Sequence, residues 1–180
     1  MVLNRGVAQT KTFLNGIRQM LWPCTMPIGN ELRRFIASPV MIIIGTCDAA
    51  RLPAIGRGVG ARAVDCDSVE VLFSAWQWPQ TAANLRDIGR MAVTFARASD
   101  YVSYQLKGRA ELLDAGPEDR DRSQRYAANI VTVLEGLGLD RKVVLPWLGD
   151  RELLVARMSV EEVYVQTPGP KAGTAVGAAT

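Results

Sequence analysis

Two arginines on one predicted strand are the side chains best suited to bind an anionic ligand. Arg57 and Arg62 both fall in the segment from Pro53 to Val64. A guanidinium group can grip a phosphate or a carboxylate through two parallel hydrogen bonds. Side chains alternate between the faces of a strand, and the two positions differ by an odd number, so a regular strand would point the two arginines to opposite faces. A bulge between them would bring both arginines to one face.

Three glycines at alternate positions, Gly56, Gly58 and Gly60, share one face of the same predicted strand. A face without side chains would let a flat ring lie directly against the backbone. The same glycines are equally typical of a bulge or of a bend at the corner of a barrel. Both interpretations stay open on the sequence.

Polar side chains follow the third predicted strand. Ser74 ends that strand, and Gln80 and Thr81 fall in the first turn of a helix that Pro79 opens. The free amides at the start of a helix favour a neighbouring anion, and these side chains would add hydrogen-bond donors. The alternative is that Gln80 and Thr81 are ordinary first-turn residues and bind nothing.

Composition excludes several classes of chemistry and of partner. The chain contains no histidine, which excludes a Ser-His-Asp triad and an imidazole-rich metal site. Its three cysteines, Cys24, Cys47 and Cys66, lack C-x-x-C spacing, so neither a disulfide framework nor a metal site is expected, and a reducing, cytoplasmic compartment is predicted. The longest apolar run extends only from Val40 to Ile44, so no membrane partner is expected. The net charge of +3, with acids among the bases, predicts no nucleic-acid partner.

The elements that must position these residues are about six short strands and a few helices. The predicted strands cover residues 40–45, 53–64, 69–74, 90–97 and 101–113, followed by a last pair at 153–158 and 163–165 with a bend at Glu161-Glu162. Helices are predicted to begin at Pro79 and at Pro117. Because no strand–helix–strand alternation is present, the pattern favours a mostly β fold, a closed or nearly closed antiparallel barrel with flanking helices.

Local strings in this order resemble a known family. They are residues 45–48, 52–53, 71–74, 83–86, 91–95 and 106–112, which read GTCD, LP, VLFS, ANLR, MAVTF and LKGRAEL. In sequence and spacing they resemble the pyridoxamine 5'-phosphate oxidase-like, FMN-binding split barrels, from about Glu31 to Gln166. Residues 166–173 resemble the tail of an uncharacterised bacterial branch of that superfamily. With the helical spacing of apolar residues before Trp22-Pro23 and the Gly-, Ala- and Pro-rich end of the chain, the sequence is divided into an N-terminal helical appendage (1–26), a six-stranded antiparallel split-barrel domain (27–166) and a flexible C-terminal tail (167–180).

What the resemblance implies is a homodimer with FMN in a groove between two barrels. Arg57 resembles the arginine that binds the flavin phosphate, and Ser74 resembles the hydroxyl residue of the same site. The complete set of candidate cofactor-binding residues is Arg57, Gly58, Val59, Arg62, Ser74, Gln80 and Thr81, with no metal site and no catalytic residue assigned. The chain departs from the family between residues 76 and 84, where flavin-binding members bring a second basic residue to the phosphate and this sequence has none.

The function that the resemblance implies is an FMN-dependent oxidoreductase acting on an unidentified substrate. Pyridoxamine phosphate is disfavoured as the substrate, because residues 167–180 replace the basic and aromatic segment that shapes that pocket in the true oxidases. A haem-degrading barrel is disfavoured because no histidine can ligate iron. Two alternatives stay open: a deazaflavin-dependent reductase, and a non-enzymatic scaffold or binding protein that has lost the flavin.

Overall fold

The computed structural model describes residues 28–176, and within them it has six strands and four α-helices. The strands are Met41–Cys47 (β1), Pro53–Ala63 (β2), Ser68–Ser74 (β3), Arg90–Ala96 (β4), Ser103–Asp114 (β5) and Leu153–Val165 (β6). The helices are Asn30–Ala37 (α1), Pro79–Asp87 (α2), Pro117–Gly136 (α3) and Arg141–Val144 (α4), and a 3-10 helix, Leu145–Trp147, follows α4. Proline opens α2 and α3 as predicted, because the first turn of a helix does not need its amide hydrogen.

The six strands form one closed antiparallel barrel in the order β1-β2-β3-β6-β5-β4. Tight turns join β1, β2 and β3 into a meander, and β1 also pairs with β4, with Ile44 opposite Val93, which closes the barrel. The predicted fold, a six-stranded antiparallel barrel with flanking helices, is confirmed.

The barrel interior is filled by alternate residues of its strands. On β1, Ile42 and Ile44 are buried, whereas Ile43 between them is half-buried on the outer face. Every residue of β3 is buried, and on its outer face Leu72 packs in a second cluster that includes Val59 of β2 and Tyr126 of α3. The outer face of β3 is therefore covered, whereas that of β1 is half-buried.

A bulge interrupts β2. Between Gly58 and Ala61 the pairing of β2 with β3 shifts by one residue, and Gly60 in this bulge has a φ of 147°, a conformation that other residues rarely adopt. The extra residue restores the parity between Arg57 and Arg62, so both side chains lie on the outer face. This finding favours the bulge as the reason for Gly60.

A second bulge lies in β6, opposite Gly108 of β5. Gly108 pairs with Val160, and the next pair along the strands skips Glu161. A side chain at Gly108 would collide with the Ser159 carbonyl oxygen, so the bulge requires glycine there. The predicted bend at Glu161-Glu162 is wrong: these two acids lie within one continuous strand, because the bulge absorbs the irregularity that a turn would otherwise explain.

Helix α3 is anchored to the barrel by Tyr126. Its hydroxyl donates a hydrogen bond of 2.8 Å to the Val40 carbonyl oxygen. Burial raises the pKa of Tyr126 above its ordinary value, although the positive charge of Arg57 opposes this effect. The phenol therefore stays protonated and keeps its role as a donor.

The residues after β6 fold back along that strand. The Gly173 and Val176 amides each donate a 2.8 Å hydrogen bond to a carbonyl of β6, and Thr167 Oγ1 accepts one from the Ser103 amide at 3.0 Å. The predicted domain limits at residues 26 and 166 stay predictions. The appendage predicted for residues 1–26 and the last four residues of the chain lie outside the described residues.

The cysteines differ from expectation. Cys47 is a free, half-buried thiol, whereas Cys66 is disulfide-bonded. The prediction that no disulfide forms is therefore wrong, because an odd count still allows one pair and sequence spacing cannot show which cysteines meet in space. This removes the argument from cysteine usage for a reducing compartment, and the cytoplasmic location stays a prediction.

None of the helices in the described part of the chain has the length and apolar character that crossing a membrane requires.

Candidate functional site

Arg57 lies on the outer face of β2 and is held there by an aromatic ring. Its guanidinium carbon is 4.5 Å from the centroid of the Trp147 ring, and stacking of this kind leaves the N–H groups at the edge of the guanidinium free to donate. No carboxylate within residues 28–176 forms an ion pair with Arg57. The side chain is therefore a positioned cation with unused donors.

The protein itself fills the space on the inner side of Arg57. The cavity that Arg57 shares with Tyr126, Ile130 and Trp147 has a volume of about 10 Å³, which is about one water molecule at most. An anion would therefore have to reach Arg57 from the solvent side.

Trp147 is positioned by a contact that the sequence did not indicate. Gln77, in the turn between β3 and α2, donates a 2.6 Å hydrogen bond from Nε2 to the Pro146 carbonyl oxygen. This bond ties the 3-10 helix to the end of β3 and so holds the ring under Arg57. The adjacent Pro146-Trp147 pair is the sole sequence feature that could have drawn attention to this segment.

The Ser74 hydroxyl is already used within the protein. Its Oγ donates to the Arg151 carbonyl oxygen at 2.6 Å and accepts from the Gln77 amide at 3.2 Å, and the residue is fully buried. Ser74 therefore shapes the turn between β3 and α2 in this structure and does not face the solvent side of Arg57.

The two predicted residues at the start of α2 have different surroundings. Gln80 donates from Nε2 to Asn84 Oδ1 at 2.8 Å. Thr81 is buried, and neither its Oγ1 nor Trp78 Nε1 has a hydrogen-bond partner. Both side chains pack against Gly56, where an added Cβ would lie 2.8 Å from Thr81 Oγ1. The structure thus places Thr81 on the inner side of β2, opposite to Arg57.

The remaining candidates on β2 lie in three different environments. A Cβ on Gly58 would lie 2.5 Å from Ile42 Cγ2 in the barrel interior, and Val59 packs in the outer cluster beneath α3. The glycines therefore do not form one open face for a flat ring, since the protein's own side chains occupy the space beside Gly56 and Gly58. Arg62 lies on the outer face but is bound to Glu70, with Nε 2.7 Å from Oε2.

An open groove runs along the outer face of the barrel beside Arg57. It has a volume of about 340 Å³, and its lining includes Gly45, Cys47, Pro53, Ile55, Arg90, Ala92 and Lys107. We call it the outer groove. Its floor is apolar, Lys107 and Arg90 lie at its β4–β5 side, and Ile55 precedes Arg57 by two residues on the same face of β2, about 7 Å along the strand.

The outer groove and Arg57 together partly fit the FMN that the resemblance implies. A groove of this volume with an apolar floor suits a planar ring, and the unpaired guanidinium supplies one cation for a phosphate. The second cation is absent from the described residues around Arg57, and the side chains of Ser74 and Gln80 have other partners. The site therefore fits a flavin held by a single phosphate contact.

Comparison with known proteins gives one family match. A family model described as pyridoxamine 5'-phosphate oxidase matches residues 28–166. No curated protein matches the sequence.

Several solved structures share the fold. HupZ from Group A Streptococcus is 20% identical, with a TM-score of 0.51, and the alignment covers 81% of this chain and 99% of that one. A candidate pyridoxamine 5'-phosphate oxidase from Lactobacillus delbrueckii is 16% identical, with a TM-score of 0.50 and coverage of 78% and 95%. At these identities the likeness shows the fold alone.

Proposed function

Since the chain belongs to the pyridoxamine 5'-phosphate oxidase family, we propose that it forms a homodimer, binds FMN, and uses the flavin to oxidise or reduce a small molecule. The observation that carries the proposal is Arg57, an unpaired cation fixed by Trp147 two residues along β2 from Ile55, which lines the apolar outer groove. In the proposed complex Arg57 binds the phosphate from the solvent side, and the ring system lies along the groove toward Ile55.

This placement gives the flavin and the protein different roles in the proposed reaction. A bound flavin supplies electron and hydride transfer, while the protein supplies position and electrostatics. Arg57 sets the end of the ligand that carries the charge, and the apolar floor at Gly45 and Ala92 excludes water from one face of the ring. Lys107 gives the far side of the groove a positive charge, which favours an electron-rich or anionic form of the ligand, whereas Arg90 there is paired with Glu161 at 3.4 Å.

A titration tests the proposal. We expect FMN to bind more tightly than riboflavin, because riboflavin has no phosphate for Arg57. The protein is titrated with FMN, riboflavin and a deazaflavin while ligand fluorescence is followed. Absence of binding by all three below about 1 mM, roughly 4 kcal/mol of binding free energy, would overturn the proposal.

A second candidate function has its own supporting observation. The Ser74 hydroxyl and the Gln80 amide are both bonded within the protein, and residues 76–84 contain no basic side chain. These features favour a scaffold or binding protein that has lost the flavin. In the same titration this alternative predicts no flavin binding but an intact dimer.

The proposed homodimer uses the outer groove as its interface. Leu52 and Ile55 beside the groove are 64% and 68% exposed, although both are large apolar side chains that a partner would cover. A second copy of the chain, paired through the same face on both subunits, would bury them and close the groove over the ligand.

Substitution of Ile55 is expected to dissociate the dimer. An isologous interface would bury the introduced aspartate on both subunits without a partner for its charge, so Ile55→Asp should weaken association by more than about tenfold. Sedimentation of the wild type should report about twice 19.6 kDa. Val143→Asp is the matched control, because Val143 is also exposed, at 54%, but lies on α4. A monomeric wild type at tens of micromolar, roughly 6 kcal/mol or less of association, would contradict the prediction.

A further inference from the structure

A second cavity lies on the other side of Tyr126 from Arg57. It has a volume of about 270 Å³ and lies between the end of α1, the bulge of β2 and helix α3. Its polar lining is Ser38, Arg62, Arg122, Arg125, Tyr126 and Asn129. Three arginines line this cavity, and none of its described lining residues is a carboxylate. We call it the arginine cavity.

The acids nearest to the arginine cavity do not neutralise its charge. Glu70, 3% exposed, is shared by Arg62, by Arg157 at 2.7 Å and by Arg122 at 3.5 Å. Asp119 adds a contact of 3.0 Å to Arg122. Four arginines, with Arg125 included, therefore face two carboxylates.

Two of the three lining arginines have unused donors. Arg122 Nη1 is buried and lies 3.5 Å from Glu70 Oε2, an ion pair that is not a hydrogen bond, so this N–H group has no hydrogen-bond partner. Arg125 forms no ion pair with any acid in residues 28–176. Burial, together with repulsion from Arg62, lowers the pKa of Arg122 below its ordinary value, yet an arginine remains protonated in a protein.

The remaining polar groups of the arginine cavity differ in whether they already have a hydrogen-bond partner. The Tyr126 hydroxyl is bonded to Val40, and Ser38 Oγ donates to the Phe35 carbonyl oxygen at 2.7 Å. The Asn129 amide is exposed beside Arg125 on α3 and can donate. The groups at the arginine cavity that lack a hydrogen-bond partner are therefore donors: Arg122 Nη1, the Arg125 guanidinium and the Asn129 amide.

We propose that the arginine cavity binds the phosphate group of a small molecule, at a site separate from Arg57 and the outer groove. The excess of arginines over carboxylates at the cavity favours an anion, and guanidinium forks match the oxygen geometry of a phosphate monoester. The volume leaves room for the phosphate and a small organic group. This site is independent of the proposed flavin function, since Arg57 does not line it.

The test uses inorganic phosphate as the probe on the full chain. Isothermal titration at constant ionic strength, with chloride as the balancing anion, should show saturable binding with a Kd of about 1 mM or tighter. Arg125→Ala should weaken this binding at least about tenfold, because Arg125 supplies the one lining guanidinium without an ion pair among the described residues. Arg120→Ala on the same helix is the matched control, since Arg120 is exposed and does not line the cavity, and its binding should match the wild type.

Three outcomes would overturn the proposal. The first is no saturable binding of phosphate above the chloride baseline. The second is equal weakening by Arg120→Ala, which would show that general charge attracts the ion. The third is binding that Arg125→Ala leaves unchanged, which would place the ion elsewhere.

A malonate titration completes the test, and malonate that binds as tightly as phosphate would overturn the assignment to phosphate. Because Arg125 has no ion pair within the described residues, the variant should unfold at the same temperature as the wild type without phosphate, which shows that the fold is intact.

Discussion

Replacing Arg57 with alanine is expected to weaken FMN binding about thirtyfold, or roughly 2 kcal/mol, and to leave riboflavin binding unchanged. The reason is that Arg57 is the one cation at the proposed phosphate position, and the described residues around it provide no second cation to take over. Fluorescence titration of both ligands against the wild type and the variant measures the effect.

Arg62→Ala is the matched control for this experiment. Arg62 lies on the same face of β2, but its guanidinium is bound to Glu70, so its loss should change FMN affinity by less than about threefold. Arg57→Lys should fall between the wild type and alanine, because an ammonium group keeps the charge and loses the paired hydrogen bonds. Loss of FMN binding in Arg62→Ala with retention in Arg57→Ala would reverse the assignment of the phosphate.

Replacing Glu70 with glutamine is expected to lower the free energy of unfolding by about 2 to 3 kcal/mol, or about 4 to 12 °C in Tm. Glu70 is 3% exposed and receives hydrogen bonds from Arg62 on one neighbouring strand and from Arg157 on the other. This loss of stability is small for the breaking of a buried ion pair, because the side chains of Arg62 and Arg157 are 45% exposed and can be rehydrated. Denaturant unfolding of both proteins measures the difference.

The same pair of proteins should differ in pH dependence. Burial raises the pKa of the Glu70 carboxyl, but hydrogen bonds from Arg157 and Arg62 outweigh it and hold the pKa below its ordinary value. A carboxyl with a lowered pKa in the folded state stabilises the protein above its unfolded-state pKa, about 4.3, and loses that contribution as the pH falls through the folded-state value. The difference in the free energy of unfolding between wild type and Glu70→Gln should therefore reach its full value at pH 6 and decrease below about pH 4.

Asp114→Asn controls for the loss of one negative charge. Asp114 is exposed at the end of β5, opposite Leu154, and forms no ion pair within the described residues, so its replacement should cost less than about 0.5 kcal/mol. If the difference in the free energy of unfolding between wild type and Glu70→Gln stays constant down to pH 3, the charge of the Glu70 carboxylate is not what stabilises its contacts with the arginines.

The strands and turns could be predicted because their determinants are local. Asp48 and Leu52 bound the first turn, and the Asp48 carboxylate accepts a 2.8 Å hydrogen bond from the Leu52 amide, which is the usual role of aspartate in a tight turn. The bend predicted at Glu161 and Glu162 was wrong because it was also based on local sequence alone. Two adjacent acids after an apolar run are typical of a turn, and the bulge that accommodates them depends on Gly108 in another strand.

The candidate site was less predictable because its contacts are distant in sequence. Gln77 and Pro146 are 69 positions apart, and nothing near Arg57 indicates that Trp147 stacks on it. Likewise, the bond between Glu70 and Arg157 spans 87 positions. Strand register sets these contacts, and register follows from the closed barrel as a whole.

Closure of the barrel also decides how the protein can assemble. Each of the six strands pairs with two others, although β2 pairs with β1 and β3 over different residues and the end of β6 bonds on one side to the chain's own residues 173–176. Little sheet edge therefore remains for a neighbouring chain. Association then depends mainly on side chains on the faces of the barrel, where a single substitution can create or abolish it without disturbing the hydrogen bonds of the fold.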